Sequence, residues 1–550
     1  MSEAPGKAAP PPKKKAKPRL SREQEQRRQV LRGGVLAAGL LLLQPLAWIP
    51  VVRRWRDRLR PPGALEERAF VEGITAEALM EEAGRRIAAA VRQFVPGPGR
   101  CLVWFGKGHN GGDALVAARH LAATGWRLDL RPVFPREQWA PLTSRKHAEL
   151  LDAFPNAGTA NRHEPREPLV VLDGLLGIGA GGALRDPILS AARAINEFSA
   201  HTTARVFAID LPTGLNADTG EVDQETVEAD YTLTIGAPKR GLLADSAINH
   251  VGRLAVLPLD ALTARMPPAA ERPGVVIPPS LTGLWPRRPF DIHKGDCGRV
   301  GIVAGSMGFT GAAIMSAEAA LHAGAGLVTL YVPPDVQAIV AGRISPEIMV
   351  QVFTTPRALL SKTHNALAVG PGVGRARDTE ILDVIARAPL PTIIDADALN
   401  ALAARSGWLW AFPGPRLVTP HPGEMERLVP GSIHVPRQQV AEEFVARYPV
   451  ALLLKGARTI VAERGKPLSY NSTGSPGMAT GGMGDALTGV LAALAGQGLE
   501  LYDAARLGAW LCGRAAELAV LGGQSEESLS ATHVIAHLGG AFRELREGGY

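Results

Sequence analysis

The sequence predicts an α/β protein built as two three-layer αβα domains in succession. Three observations point there. Short apolar runs with strand character alternate with stretches of helical period through most of the chain. Glycine is abundant, 61 residues in 550, and gathers where those runs end, as in α/β folds whose loops approach ligands closely. A chain of this length holds about two or three domains, each able to bury its own core.

Composition narrows the class. Hydrophobic residues make up 46% and charged residues 21%, as in ordinary globular protein. Cys101, Cys297 and Cys512 form no CxxC pair and no metal-ligand spacing. Each lies in or beside an apolar run and reads as core in a reducing compartment. The formal net charge is +7, but residues 1–60 hold 15 Lys/Arg against 4 Asp/Glu. The remainder is therefore net acidic, which excludes a basic nucleic-acid-binding face on the folded domains.

Residues 1–63 stand apart. Positions 1–29, rich in Pro, Lys, Ala, Arg and Gln, read as a disordered tail. Val30 to Val52 carries a single charge, Arg32, and is followed by Arg53, Arg54, Arg56, Arg58 and Arg60. Gly33 to Val52 has the length of a bilayer-crossing helix. Two readings stand, a membrane anchor through residues 30–52 or a hydrophobic helix docked on its own domain. Basic residues on both flanks set no orientation, and the run begins too late for a cleaved signal peptide. The folded domains are expected in the cytoplasm, as a homo-oligomer.

The first domain is expected over 64–265. Ala76–Phe94 reads as an amphipathic helix and Gly112–Thr124 as a second. Strands are expected at Cys101–Phe105, Arg127–Phe134, Leu169–Leu172, Val206–Ile209, Tyr231–Ile235 and Leu254–Leu257. Residues 266–289, Pro-rich and weakly patterned, read as a linker between separable halves. The second domain is expected over 290–550. Its strands are Arg299–Val303, Val328–Val332, Ala366–Val369, Thr392–Ile394, Arg416–Val418, Val450–Leu454 and Thr459–Ala462, with helices at Ala312–Ala323, Asp485–Ala495 and Ala504–Leu521.

The first domain's polar motifs fall where strands end. Gly106-Lys107-Gly108-His109-Asn110-Gly111-Gly112-Asp113 follows the first strand and opens a helix, a turn that lets backbone and helix N–H groups reach a phosphate. Asp173-Gly174-Leu175-Leu176-Gly177-Ile178-Gly179-Ala180-Gly181-Gly182 ends another, Asp210-Leu211-Pro212-Thr213-Gly214 a third, and Lys239-Arg240-Gly241-Leu242 a fourth. Taken singly, each Asp reads as a cap or turn residue. Strand ends of an open α/β sheet share one crevice, so together they argue for a site.

This ordered set is similar to the epimerase domain of the bifunctional NAD(P)H-hydrate repair enzymes, over roughly Ala64 to Asp260. The resemblance implies a Rossmann-like domain that holds the hydrated nucleotide through His109, Asn110, Gly111, Gly112 and Asp113, and through Gly177, Ile178, Gly179, Ala180, Gly181, Gly182 and Ala183. It implies Asp210 as substrate contact and catalytic acid/base, and a potassium ion held by Asn110, Asp173 and Thr213. Oxygen ligands suit so hard a cation. His109, Ala114 and Thr213 depart from the family's usual Asn, Gly and Ser.

In the second half, His293-Lys294-Gly295-Asp296-Cys297-Gly298, Gly370-Pro371-Gly372-Val373-Gly374, Asp395-Ala396-Asp397-Ala398-Leu399-Asn400, Thr419-Pro420-His421-Pro422-Gly423-Glu424, Lys455-Gly456 and Gly481-Gly482-Met483-Gly484-Asp485 follow in order. A glycine run entering a helix offers N–H groups and the positive helix end to an anion. Asp485 beside it can take a proton from an attacking hydroxyl. No GxxxxGK[ST] sequence is present, so this is not a P-loop kinase.

The set resembles the dehydratase domain of the same family, over about Asp291 to Gly539. The resemblance implies a ribokinase-like fold. It implies that ADP or ATP, with Mg2+, phosphorylates the C6 hydroxyl of hydrated NADH or NADPH, and that phosphate elimination restores the cofactor. Carried over position by position, Ala312, Gly372, His421 and Asp485 contact the hydrate. Lys455, Gly456, Ala457, Arg458, Thr459 and Gly484 contact the nucleotide, and His421 with Glu424 belongs to the substrate and magnesium surroundings. Met483 departs from the usual Thr. Two rivals are weaker on the sequence: a small-alcohol kinase fused to a dehydrogenase whose ribose carboxylate would be Asp129, which lies inside its strand and not at its end, and a first domain kept only as a scaffold, against which the retained Asp210 argues.

Overall fold

The computed structural model describes residues 64–158, 167–179, 181–266, 274–405 and 411–547. The tail and hydrophobic segment of residues 1–63, and Ala180, lie outside the described residues. Among those described, no helix is long and apolar enough to cross a membrane.

The first half builds a six-stranded sheet from β1 (Arg100–Phe105), β2 (Arg127–Pro132), β3 (Leu169–Gly174), β4 (Arg205–Ile209), β5 (Tyr231–Ile235) and β6 (Arg253–Leu257), in the order 2-1-3-4-5-6. Every pairing is parallel. The alternation of β1 sends Cys101, Val103 and Phe105 to one face, with α1 (Ala76–Phe94) and α2 (His109–Ala122). Leu102 goes to the other, with Ile188 and Ile195 of α3 (Ile188–Ala200). The helix expected from Gly112 starts earlier, at His109, because the short polar residues after Gly108 take helical backbone once Gly108 has turned the chain.

The second half builds ten strands: β7 (Gly274–Val275), β8 (Arg299–Val303), β9 (Leu327–Val332), β10 (Met349–Val352), β11 (Ala366–Val369), β12 (Thr392–Ile394), β13 (Arg416–Val418), β14 (Ala451–Leu454), β15 (Ile460–Ala462) and β16 (Ser469–Tyr470). The order is 10-9-8-11-12-13-14-15-16-7. The pairs β14–β15 and β15–β16 are antiparallel and the rest parallel. One face packs on α4 (Thr310–His322), α8 (Met483–Gly496), α9 (Leu501–Leu521) and α10 (Ala531–Glu547). The other packs on α5 (Asp378–Arg387), α6 (Asp397–Ala403) and α7 (Arg437–Arg447). This is the layering expected of a ribokinase-like domain. The two-residue strands β7 and β16 are too short to show a period, so the sequence did not reveal them.

Residues 267–273 of the expected linker lie outside the described residues; just after them Gly274 N donates to Leu468 O at 3.0 Å and Val276 N to Tyr470 O at 2.8 Å, closing the edge of the second sheet. One apolar cluster also joins Leu211, Leu242, Val251 and Leu254 to Leu452, Leu454, Ile460 and Tyr470. Beside it, buried Arg253 donates to Glu517 Oε1 at 3.0 Å, and Arg514 meets the other carboxylate oxygen at 2.6 Å. The halves therefore share an interior as well as owning one each.

Candidate active sites

Both sheets reverse strand order at one point, between β1 and β3 and between β8 and β11. Ligands bind open α/β sheets at the carboxyl ends of such strands, and the polar motifs converge there.

At the first crevice, glycines are required by contact. A Cβ on Gly106 would stand 2.0 Å from Leu175 O, and one on Gly111 2.2 Å from Gly106 O. The turn therefore lies against the loop after β3. His109, Asn110, Gly111 and Gly112 form the first turn of α2 and Asp113 follows them, with His109 exposed. Asn110 Nδ2 donates to Leu176 O at 2.8 Å. Asp173, fully buried, accepts from Leu175 N at 3.2 Å, Thr213 N at 2.9 Å and Thr213 Oγ1 at 2.8 Å. Leu176 N in turn donates to Thr213 Oγ1 at 3.3 Å. Asn110, Asp173 and Thr213 thus form one cluster. Ala114 Cβ would stand 2.6 Å from a Cβ on Gly174, so glycine there leaves room for that departure.

Gly179, Gly181, Gly182 and Ala183 are exposed at the mouth, with Gly177 and Ile178 half-buried behind them. A Cβ on Gly179, Gly181 or Gly182 would meet nothing within 4 Å.

Asp210 follows β4 in left-handed backbone, φ 68°, a conformation that costs a non-glycine residue energy and gathers at functional positions. Its N donates to Leu233 O at 2.9 Å. Its Oδ1 accepts from Ile235 N at 3.0 Å and pairs with Lys239 Nζ. Lys239 also donates to Thr234 Oγ1 at 3.2 Å and Ile235 O at 2.9 Å. The carboxylate is thereby fixed between the ends of β4 and β5. The motif marked Lys239's loop, but only the fold brings its ammonium onto Asp210.

At the second crevice the centre is Asp395, 1% exposed. It accepts from Lys455 Nζ at 2.7 Å and Thr419 Oγ1 at 2.8 Å on one oxygen, and from Thr488 Oγ1 at 2.8 Å on the other. Lys455 Nζ also lies 3.6 Å from Glu424 Oε2. Gly484 sits over this pair; a Cβ there would be 3.4 Å from Lys455 Nζ and 3.7 Å from Asp395 Oδ2. Left-handed Gly482 starts α8 and puts Asp485 in its first turn, without a side-chain cap bond. Burial first, then the Asp395 carboxylate, raise the Asp485 pKa to about 6, partly opposed by Lys455.

His421 opens the helix Pro422–Leu428 and accepts from Gly423 N at 3.0 Å and Glu424 N at 3.3 Å, while Glu424 Oε2 accepts from His421 N at 2.8 Å. The histidine is half exposed and Glu424 buried. Gly372, at φ 60°, packs on the start of α4; its Cβ would lie 3.0 Å from Ala312 Cβ and 2.8 Å from Phe309 Cβ. Met483 is partly buried on the apolar core.

Two expected members do not join. His293–Gly298 precedes β8 and closes the opposite end of the sheet, where Leu327 N donates to Gly298 O at 3.1 Å. Arg458 sends its guanidinium to Leu242 O and Gly252 O of the first half. Asp395 and Thr488 were missed as site residues. Asp395 lay in a recognised motif, and Thr488 stands three residues after Asp485, on the same helix face. Asp129 is bonded to Arg100 and Arg131 at 2.8 Å within its own sheet, so the dehydrogenase rival loses its ribose carboxylate.

Fold and crevices together define a two-domain α/β enzyme with a polar crevice at the strand ends of each half. Residues 76–241 match the family model described as YjeF-related protein N-terminus, and residues 300–537 the model described as NAD(P)H-hydrate dehydratase. The chain is 35% identical over 507 residues to the bifunctional NAD(P)H-hydrate repair enzyme Nnr of Moorella thermoacetica, covering 86% of this chain and 94% of that one. It is 36% identical over 466 residues to the Nnr of Escherichia coli, covering 82% and 87%. The chain belongs to the family of bifunctional NAD(P)H-hydrate repair enzymes. It is also similar to the solved ADP/ATP-dependent NAD(P)H-hydrate dehydratase from Bacillus subtilis co-crystallized with ATP/Mg2+, at 27% identity and TM-score 0.44, covering 49% of this chain and 97% of that one.

Proposed function

We propose that this chain repairs hydrated NADH and NADPH. The first domain interconverts the R and S hydrates, and the second dehydrates the S form at the expense of ADP or ATP. The observation that carries the reading is one carboxylate site at the strand ends of each sheet: buried Asp210 with Lys239, and half-buried Asp485 beside buried Asp395, which is paired with Lys455.

In the first crevice a proton must move as the C–O bond at C6 breaks and re-forms. Asp210 gives a proton to the oxygen that departs as water and takes one from the water that re-adds on the other face, held in place by Ile235 N and Lys239. The cluster beside it fits potassium. Asp173 is buried with no basic partner among the described residues, and burial raises its pKa to about 6. A bound cation would supply the missing positive charge there, held by Asp173, Thr213 and Asn110 oxygens.

In the second crevice the C6 hydroxyl attacks the terminal phosphorus of the nucleotide, displacing ADP from ATP or AMP from ADP as the bridging P–O bond breaks, and gives its proton to Asp485. N–H groups at the start of α8 receive the charge on the phosphoryl group. Lys455, Gly456, Ala457, Thr459 and Gly484 hold the nucleotide, and His421, Ala312 and Gly372 the hydrate. Phosphate and a proton then leave, restoring the ring double bond. No group of three or more His, Cys, Asp or Glu able to hold a metal occurs among the described residues. Mg2+ bound through phosphates with one or two carboxylates, such as Glu424, fits that arrangement and would neutralise phosphate charge. Incubation with hydrated NADH, ADP or ATP and Mg2+ should restore the absorbance of reduced nicotinamide. Nucleotide turnover on a sugar or vitamin alcohol instead would overturn the reading.

A further inference from the structure

The loop Lys455–Thr459 is held in place from the other domain. Gly456, at φ 144°, lies so close to Arg437 that a Cβ would meet its Nη1 at 2.6 Å. Arg437 Nη2 donates to Ala457 O at 2.7 Å. Arg437 is in turn fastened by Asp245 of the first domain, through Nε at 2.8 Å and its backbone N at 3.0 Å. Arg458 is left-handed, φ 58°, although it carries a Cβ. Its guanidinium donates to Leu242 O, and to Gly252 O at 3.4 Å. Burial lowers its pKa to about 10, which still leaves it charged at neutral pH. Leu242 belongs to the turn Arg240–Leu243, directly after Lys239. Each end of the contact is thus three residues from a lysine paired with a site carboxylate, Lys239 with Asp210 and Lys455 with Asp395.

We propose that Arg458 is a positioning residue: through Leu242 and Gly252 the first domain holds the nucleotide loop of the second in its binding conformation. This rests on reading Lys455–Thr459 as the nucleotide loop. A side chain that only filled the interface would change stability and leave the nucleotide KM alone. An anchor should move the nucleotide KM more than kcat at saturation or the KM for the hydrate.

The test uses the full chain and dehydration rates with ATP varied. Arg458→Ala should raise the nucleotide KM about tenfold, a coupling of ordinary size between sites. Arg458→Gly relieves the left-handed backbone yet lacks the guanidinium, and should show the same rise; a normal KM in it would mean that strain alone matters and overturn the proposal. Asp245→Asn, at the surface of the first domain, should raise the nucleotide KM in the same direction, and it carries the test if the Arg458 variants fail to fold. Lys455→Ala reads the nucleotide loop itself. Impaired nucleotide use in Lys455→Ala, with unchanged KM in the Arg458 and Asp245 variants, overturns the anchor and leaves the loop assignment standing. No effect in any of them overturns both.

Discussion

Asp485→Asn separates catalysis from fold. The carboxylate stands in the first turn of α8, where the helix dipole contributes about 0.3–1 kcal/mol. Its raised pKa, about 6, means that the fold carries the ionised form at a cost. That stability is present while the group is protonated and is lost as pH rises through about 6. The amide is neutral at every pH, so the variant should melt at or above the wild type at pH 8. Turnover should nevertheless fall about 10²–10⁴-fold, roughly 3–5 kcal/mol at the transition state. With the pKa at about 6 the wild-type base is about nine-tenths ionised at pH 7. The single-turnover rate should then drop about tenfold per unit below pH 6, as a required base is protonated. Single-turnover dehydration across pH, nucleotide titration and thermal melts read all of this. A variant with near-normal turnover, or a flat wild-type profile through pH 6, would refute the assignment of Asp485 as general base.

Asp210→Asn should abolish interconversion of the two hydrate epimers and spare dehydration of the S form; unchanged epimerisation, followed by chromatography of the two forms, would remove Asp210 from its role. Potassium should raise the melting temperature of the wild type more than lithium does, and Asp173→Asn should erase the difference; equal responses in both proteins would argue against a cation at Asp173. Gly106→Ala should destabilise the first domain by about 3 kcal/mol or more, because its Cβ would meet Leu175 O at 2.0 Å. Gly108→Ala, with nothing within 4 Å, should leave the fold intact, and equal denaturant midpoints for the two variants would show that the close approach is not present in solution. Each half, cut near residue 273, should fold on its own sheet but melt below the intact chain, since the cluster around Leu242 and Leu452 is split; circular dichroism of the halves checks this.

The sequence by itself determined the local order of the molecule. Strand cores such as Arg299–Val303, Ala366–Val369 and Thr392–Ile394 lie where their apolar runs lie, and Ala76–Phe94 is the helix its period predicts. The glycine turns, the Asp-ended strands and their order sufficed for the family, because strand ends and helix starts are local chemistry. What the tertiary structure alone decided depends on pairs distant in sequence. Lys239 on Asp210, Lys455 and Thr488 on Asp395, and Thr213 on Asp173 are brought together by sheet order, which no periodicity records. The same holds for Gly274–Val275, read as linker and found as an edge strand, and for Arg458, whose left-handed backbone and cross-domain carbonyl partners leave no mark on its sequence neighbourhood. A linear pattern encodes which face of an element is apolar; which other element covers that face, and which charge it brings, is settled only when the sheets assemble.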